Sequence, residues 1–166
     1  MSKIIFNSEW SKKQFLKKLD KFYHKSEKLE VIHQSINKVT VDIKKKEKLI
    51  TFVGKLNSAK GYDLFGKAIL KILNKYPDWK SAVIGDEPRE KLYFNHKNLK
   101  VLGYQNHNTV LSYFKKSSIA VACSRWEEPF GRTSLEASSR GCAVIVSNKG
   151  GLPETITNGV IIRNLS

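Results

Sequence analysis

Short apolar runs, several of them closed by a glycine, alternate along this chain with segments of helical periodicity, and that alternation limits the possible folds more than any other feature. Leu49 to Val53 reads as a buried strand followed by Gly54. From Gly61 to Tyr76, apolar residues at Leu64, Phe65, Ala68, Ile69, Ile72 and Leu73 repeat with the spacing of a helix face, and Tyr76-Pro77-Asp78 ends it. Ser81 to Ile84 before Gly85 and Leu99 to Leu102 before Gly103 are two further strands. A shorter helix fits Asn108 to Lys116, then a strand from Ile119, a helix from Gly131 to near Gly141, and a strand from Ala143 to Val146. A Gly150-Gly151-Leu152-Pro153-Glu154 turn and a last short strand, Gly159 to Ile162, complete the series. Strands alternating with helices predict an α/β fold with a parallel sheet and helices on both faces. In such sheets ligands bind beyond the carboxyl ends of the strands, where these turns converge.

Residues 1–48 follow a different pattern. Ile4 to Phe6 reads as a strand, Ser8 as the cap of a Lys-rich helix running to about Tyr23, Val31-Ile32 as a further apolar snippet, and Lys44 to Lys48 as a charged connector. Nothing in this segment closes a core alone, so it is expected to be an accessory or the remnant of a neighbouring domain. Up to position 60 the chain holds fifteen Lys against six acidic residues, half of its 30 basic side chains. Such density marks a solvated surface or contact with an anionic membrane. Basic residues interleaved with aromatics, which nucleic-acid recognition needs, are not evident, so no specific nucleic-acid partner is expected. No apolar run approaches the roughly 18 residues of a membrane span, and the first twenty positions carry Lys and Glu instead of an apolar signal core. With Cys123 and Cys142 outside any C-x-x-C spacing, the expectation is a cytoplasmic chain with two buried free thiols, peripheral at most to the inner face of the membrane.

The chemistry concentrates in Glu127-Glu128-Pro129-Phe130-Gly131-Arg132-Thr133-Ser134-Leu135-Glu136-Ala137, where a strand, a turn and a helix start meet. The first N–H groups of a helix lack intrahelical partners and sit at the positive end of its dipole, so phosphates bind there. Glu136 lies one turn along, about 6 Å, too far for the same phosphate but placed for a hydroxyl beside it. Glu128 sits before the helix, on the other side of the turn. Lys55 and Lys60, in the loop from Gly54 to Gly61, can pair with phosphate oxygens. By contrast, Gly61-Tyr62-Asp63-Leu64-Phe65-Gly66-Lys67-Ala68 is a decoy for a Walker A loop: Ala68 stands where magnesium needs Ser or Thr. No metal-ligand spacing occurs, and His24, His33, His96 and His107 are scattered.

These residues resemble the nucleotide-binding half of group 1 (family 4) glycosyltransferases of the GT-B fold. The resemblance rests on Glu128-Pro-Phe-Gly-Arg-Thr-Ser-Leu-Glu136-Ala137, followed by Gly141-Cys-Ala-Val-Ile-Val-Ser147 and Gly150-Gly-Leu-Pro-Glu154, with Gly54-Lys55 and Lys60-Gly61 as the basic loop. Lys55 stands where the family usually has Arg, which keeps the charge and loses the bidentate fork. The turns at Gly85-Asp86 and at Leu102-Gly103-Tyr104 also resemble the family's, the second lying near the nucleotide base. The resemblance implies a Rossmann-like domain over residues 49–166, truncated at its carboxyl end, with residues 1–48 as the end of an acceptor domain plus linker. It implies a hexosyltransferase fragment, inactive alone, that takes a nucleotide-diphosphate sugar for retaining transfer to a glycan or lipid-linked acceptor, in polysaccharide or lipopolysaccharide synthesis. Glu128 would be the catalytic-site group holding hydroxyls of the transferred sugar. Lys60 and Lys55 would neutralise the diphosphate, backbone N–H groups of Gly131, Arg132 and Thr133 would hold it, and Glu136 would accept from the ribose. No cofactor and no metal are implied, since cations and the helix dipole take the leaving-group charge. The acceptor would be bound by a domain preceding this chain. Two alternatives stay open: a nucleotide-binding module without catalytic purpose and, behind it, a basic nucleic-acid-binding domain.

Overall fold

The computed structural model describes residues 2–19, 27–37 and 39–165. Among the described residues, eight strands and four α-helices follow one another as β1 (Ile4–Phe6), α1 (Glu9–Leu16), β2 (Leu29–Val31), β3 (Glu47–Val53), α2 (Tyr62–Lys75), β4 (Lys80–Ile84), β5 (Leu99–Val101), α3 (His107–Lys116), β6 (Ser117–Ala122), α4 (Arg132–Ser139), β7 (Ala143–Ser147) and β8 (Gly159–Ile162). Strands β3 to β8 form one six-stranded parallel sheet in the order β5-β4-β3-β6-β7-β8. The chain starts at the centre, runs outward to β5, and returns to the centre through β6. That reversal leaves a crevice between the carboxyl ends of β3 and β6, the place where open α/β sheets bind ligands.

Both faces of the sheet centre are covered, which is why β3 and β4 read as continuous apolar runs. On one face α2 lays Phe65, Ile69 and Leu73, four residues apart, against Ile50, Phe52 and Val83. The other face packs α3 and α4 through Val110, Phe114 and Ala137 against Ile84, Ala120, Val144 and Val146. Leu73 is 1 % exposed, so its truncation to Ala would cost about 2–5 kcal/mol. Helix α2 stops at Tyr76, whose backbone leaves the helical region ahead of Pro77.

Strands β1 and β2 pair in parallel as a separate two-stranded sheet, with Ile4 opposite Leu29. Ser8 caps α1 by accepting from Ser11 N, as expected, but the helix ends at Leu16 instead of near Tyr23. No residue of α1 is buried, and Lys13 and Lys17 repel each other one turn apart, so nothing prolongs it. Residues 20–23 of that expected helix lie outside the described residues. The charged connector is partly structured. Ile43–Lys45 form a 3-10 turn capped by Asp42, and β3 begins at Glu47. Between them Lys46 Nζ donates to Phe114 O at 2.9 Å and to Arg140 O, tying the carboxyl ends of α3 and α4 together. Strand β6 starts two residues earlier than its apolar run, because the buried Ser117 hydroxyl is satisfied by Thr51 Oγ1 and Tyr113 O.

Candidate active site

The loops after β3 and β6 are bound to each other before either meets a ligand. Ala59 O accepts from Arg125 N at 2.9 Å, Trp126 N at 3.0 Å and Ser124 Oγ at 3.1 Å. Arg125 forks onto Asp63 with contacts of 2.5 and 2.8 Å and donates to Ser58 O at 2.8 Å. The hydrogen bonds from Arg125 hold the Asp63 carboxyl below the usual carboxylate range. Gly61, at φ +74°, closes the β3 loop, and a Cβ there would stand 2.0 Å from Cys123 O. The loops can therefore approach this closely only through glycine.

Between them lies a cavity of about 260 Å³ lined by Gly54, Lys60, Ser124, Glu128, Gly131, Arg132 and Thr133, among others. Lys60 Nζ forms an ion pair with Glu128 Oε1, both side chains mostly shielded from solvent. The Lys60 backbone N–H is fixed to Asn57 Oδ1 at 3.0 Å. Helix α4 begins here with Gly131 as its N-cap, no side-chain cap and no acidic residue in its first turn, so no group of the helix itself offsets the positive end of its dipole at the cavity. A cation, a carboxylate and an anion-binding helix start thus share one space, bringing together Lys60, Glu128, Gly131, Arg132 and Thr133. Lys55 is exposed and is not part of that lining.

Glu136 faces elsewhere. It is 6 % exposed, and its Oε1 meets Arg132 Nε at 2.9 Å and His107 Nε2 at 3.1 Å. It lines a second cavity of about 260 Å³ with Gln34, Ser35, Ile36, Arg132 and Leu135. Arg132 borders both spaces, so the two carboxylates flank one helix start from different sides. His107 carries no motif in the sequence and reaches Glu136 only because α3 packs beside α4.

The Gly150-Gly151 turn buttresses the Glu128 loop. Gly150 N donates to Glu127 Oε2 at 2.5 Å and Gly151 N to Glu128 O at 2.7 Å. Gly150 has φ +60°, and a Cβ on it would fall 2.0 Å from Glu128 O. Thr155, in the 3-10 turn Leu152–Thr155, shares a buried 2.6 Å hydrogen bond with Ser134 Oγ of α4. The amino-terminal segment grips the same loop. Ser8, fully buried, donates to Pro129 O, and Ser11 Oγ adds a 3.1 Å bond to that carbonyl. Glu154 accepts from the first N–H groups of α1, Glu9 at 2.7 Å and Trp10 at 2.9 Å, and from His33 Nε2 at 2.9 Å. Burial alone would raise the Glu154 pKa, but these donors outweigh it and the net shift is downward. His33 also stacks on Phe130, ring centroids 5.8 Å apart. The roles of Ser8 and Glu154 as bridges across 121 and 145 positions were not readable from local pattern.

Among the described residues no group of three or more His, Cys, Asp or Glu side chains is placed to hold a metal ion, and no helix is long and apolar enough to cross a membrane. The profile of the family described as "Glycosyl transferases group 1" matches residues 33–164. Spore coat protein SA of Bacillus subtilis (strain 168) is 32 % identical over 126 residues, covering 68 % of this chain and 33 % of that protein. The carboxy-terminal domain of a group 1 glycosyl transferase family protein (LpcC) from Francisella tularensis superposes with a TM-score of 0.60 at 29 % identity, over 72 % of this chain and 69 % of that one. Anabaena Alr3699/HepE, solved in complex with UDP-glucose, gives a TM-score of 0.74 at 20 % identity, over 97 % of this chain and 50 % of its own. The chain spans about a third of the length of the curated relatives it matches. A parallel sheet in the order described, flanked by helices, is the carboxy-terminal architecture of the GT-B fold, and with a family match over most of its length the chain belongs to the group 1 glycosyl transferases.

Proposed function

We propose that this chain is the donor-binding part of a retaining GT-B hexosyltransferase. Residues 1–48 are the end of an acceptor domain with its linker, and residues 49–166 bind a nucleotide-diphosphate sugar for transfer to a glycan or lipid-linked acceptor. The observation that carries the reading is the meeting of Lys60, Glu128 and the start of α4 in one cavity at the reversal point of the sheet. The UDP-glucose bound to Anabaena Alr3699/HepE supports it, as does the lipopolysaccharide core mannosyltransferase LpsB of Rhizobium meliloti among the relatives, 28 % identical over 123 residues. The relatives encoded in the cps region of Klebsiella pneumoniae point the same way.

In this reading the diphosphate sits on the N–H groups at the start of α4. Its charge draws Lys60 away from Glu128, which is then free to accept hydroxyls of the sugar. Cleavage of the bond between the anomeric carbon and the diphosphate leaves negative charge on the departing nucleotide. Lys60 and the helix start stabilise that charge, with Lys55 available from the rim. Glu136, already oriented by Arg132 and His107, accepts from the ribose. The site works on the cytoplasmic side, with Lys-rich surface available to anionic lipid.

Calorimetric titration with UDP, GDP and ADP, repeated on Glu136→Ala, tests the reading. One nucleotide is expected to bind, and the substitution to weaken it by roughly tenfold or more, as expected when a charged hydrogen-bond acceptor is lost. Absence of heat with all three at millimolar protein would remove the preformed donor site.

A further inference from the structure

The amino-terminal edge of the main sheet, on the face covered by α3, carries a second concave site that the donor chemistry does not use. Lys80, Lys97, Lys100 and Lys116 line one cleft of about 270 Å³ there. They come from four places: the first residue of β4, the turn before β5, the middle of β5 and the last residue of α3. Glu47 is the one acidic residue in the lining. The lysines are exposed, and among the described residues none of the four forms an ion pair.

The contrast with the donor cavity is informative. There the two cations that line the space are already answered, Lys60 by Glu128 and Arg132 by Glu136. In the distal cleft four cations face one carboxylate, so its positive potential is met only by an external anion. The cleft is also built on rigid backbone. Ala82 pairs with Lys100 across β4 and β5, which sets Lys80 and Lys100 on one face, two residues out of register. Asn98 fixes the turn carrying Lys97, its side-chain N–H₂ donating to Pro77 O at 2.8 Å and Trp79 O at 3.1 Å while its backbone carbonyl accepts from Ser81 N at 2.8 Å. Leu49 and Ala82, nearly fully buried, and Tyr113 of α3 complete the lining. Lys80 opens β4 and Gly85 follows its end, so the cleft and the donor rim are separated by about 16 Å of strand.

The geometry points to a second anion site in this cleft, for a phosphate-bearing group of charge −2 or more, separate from the donor cavity. Four ammonium groups without fixed hydrogen-bond directions suit the spread charge of a diphosphate or a phosphomonoester better than the planar fork demanded by a carboxylate. The phosphate comes either from a free molecule or from a lipid headgroup.

Inorganic pyrophosphate and vesicles of phosphatidylcholine with or without phosphatidic acid are the probes, applied to wild type, Lys97→Ser/Lys100→Ser and Lys60→Ser, with folding of each variant checked by its melting curve. The expected result is that the double variant weakens pyrophosphate binding, phosphatidic acid vesicle binding or both by tenfold or more, whereas Lys60→Ser leaves the cleft-dependent binding within about twofold. Loss with pyrophosphate alone assigns a soluble phosphate, and loss with vesicles alone assigns a headgroup. Binding that the double variant retains and Lys60→Ser abolishes places the anion only in the donor cavity and overturns the inference. So does an absence of binding by both probes at low salt. Because nucleoside-diphosphate binding by Lys97→Ser/Lys100→Ser reads the donor cavity separately, failure here is distinguishable from failure of the donor site.

Discussion

Lys60 and Glu128, 68 residues apart, form an ion pair across the carboxyl edge of the sheet and join the loop after β3 to the loop after β6. The pair occupies the position where the proposed donor places its diphosphate and sugar, so the two partners predict different phenotypes. Lys60→Ala should weaken nucleoside-diphosphate binding by roughly 1.5–3 kcal/mol, the range for a hydrogen bond to a charged group. Glu128→Gln should leave the affinity for a free nucleoside diphosphate unchanged or higher, while lowering that for the corresponding nucleotide sugar. Equal losses for the two ligands in Glu128→Gln contradict the assigned roles.

Gly150 is the backbone counterpart of that pair, since its turn rests on Glu128. Replacing it with Ala imposes a left-handed conformation on an L-residue and drives a methyl into the Glu128 backbone. A destabilisation of about 1–3 kcal/mol from strain is expected, together with weaker nucleotide binding as the loop shifts. Urea unfolding and nucleotide titration measure both, and a variant within about 0.5 kcal/mol of wild type, the range of neutral surface changes, would refute the close approach.

The centre of the sheet was legible in the chain because β3 and β4 are covered on both faces, which leaves continuous apolar runs. The elements that were misread lack such a face. Helix α1 buries nothing, so its Lys-rich pattern gave no end point, and the buried Ser117 hid the start of β6 because its hydroxyl is satisfied by partners far along the chain. Within the site, Glu128, Lys60 and the α4 start were legible from the Pro-Phe-Gly turn and the glycine-bounded loop. The Glu154 bridge to α1 and the His107 contact to Glu136 were not, because each depends on tertiary placement of residues with no local signature.

Glu154 anchors the amino-terminal segment to the site. Glu154→Ala should cost about 1–3 kcal/mol by leaving the first N–H groups of α1 without their acceptor. Hydrogen exchange at Glu9 and Trp10 should accelerate more than exchange in β3. Unchanged exchange at those two amides would show that the bridge does not hold the helix.

Acid should expose the same contacts. The Asp63 and Glu154 carboxyls both have folded pKa values below the ordinary range, Asp63 chiefly through its hydrogen bonds from Arg125 and Glu154 because its donors outweigh its burial. Each therefore contributes stability that is fully present above about pH 5 and is lost as pH falls through the unfolded value near 4 and then the folded one. Urea midpoints between about pH 3 and 6 should fall toward acid in wild type, and less steeply in Asp63→Asn/Glu154→Gln. Parallel curves would contradict the sign.

Burial pushes the Cys123 thiol up to about 11 and raises that of Cys142 as well. Neither should react with Ellman's reagent in the native state at neutral pH, since the thiolate is the nucleophile and both sulfurs are enclosed. Rapid labelling of either without urea would show that the β6–β7 region opens locally.

The proposed donor site is tested most directly by amide chemical shifts of ¹⁵N-labelled protein during titration with UDP, GDP and ADP. The largest changes are predicted at Gly54, Lys60, Gly131, Arg132 and Thr133, with a second group at Glu136 and His107. Saturating changes confined to the distal lysine cleft, with the α4 start unmoved, would contradict the account.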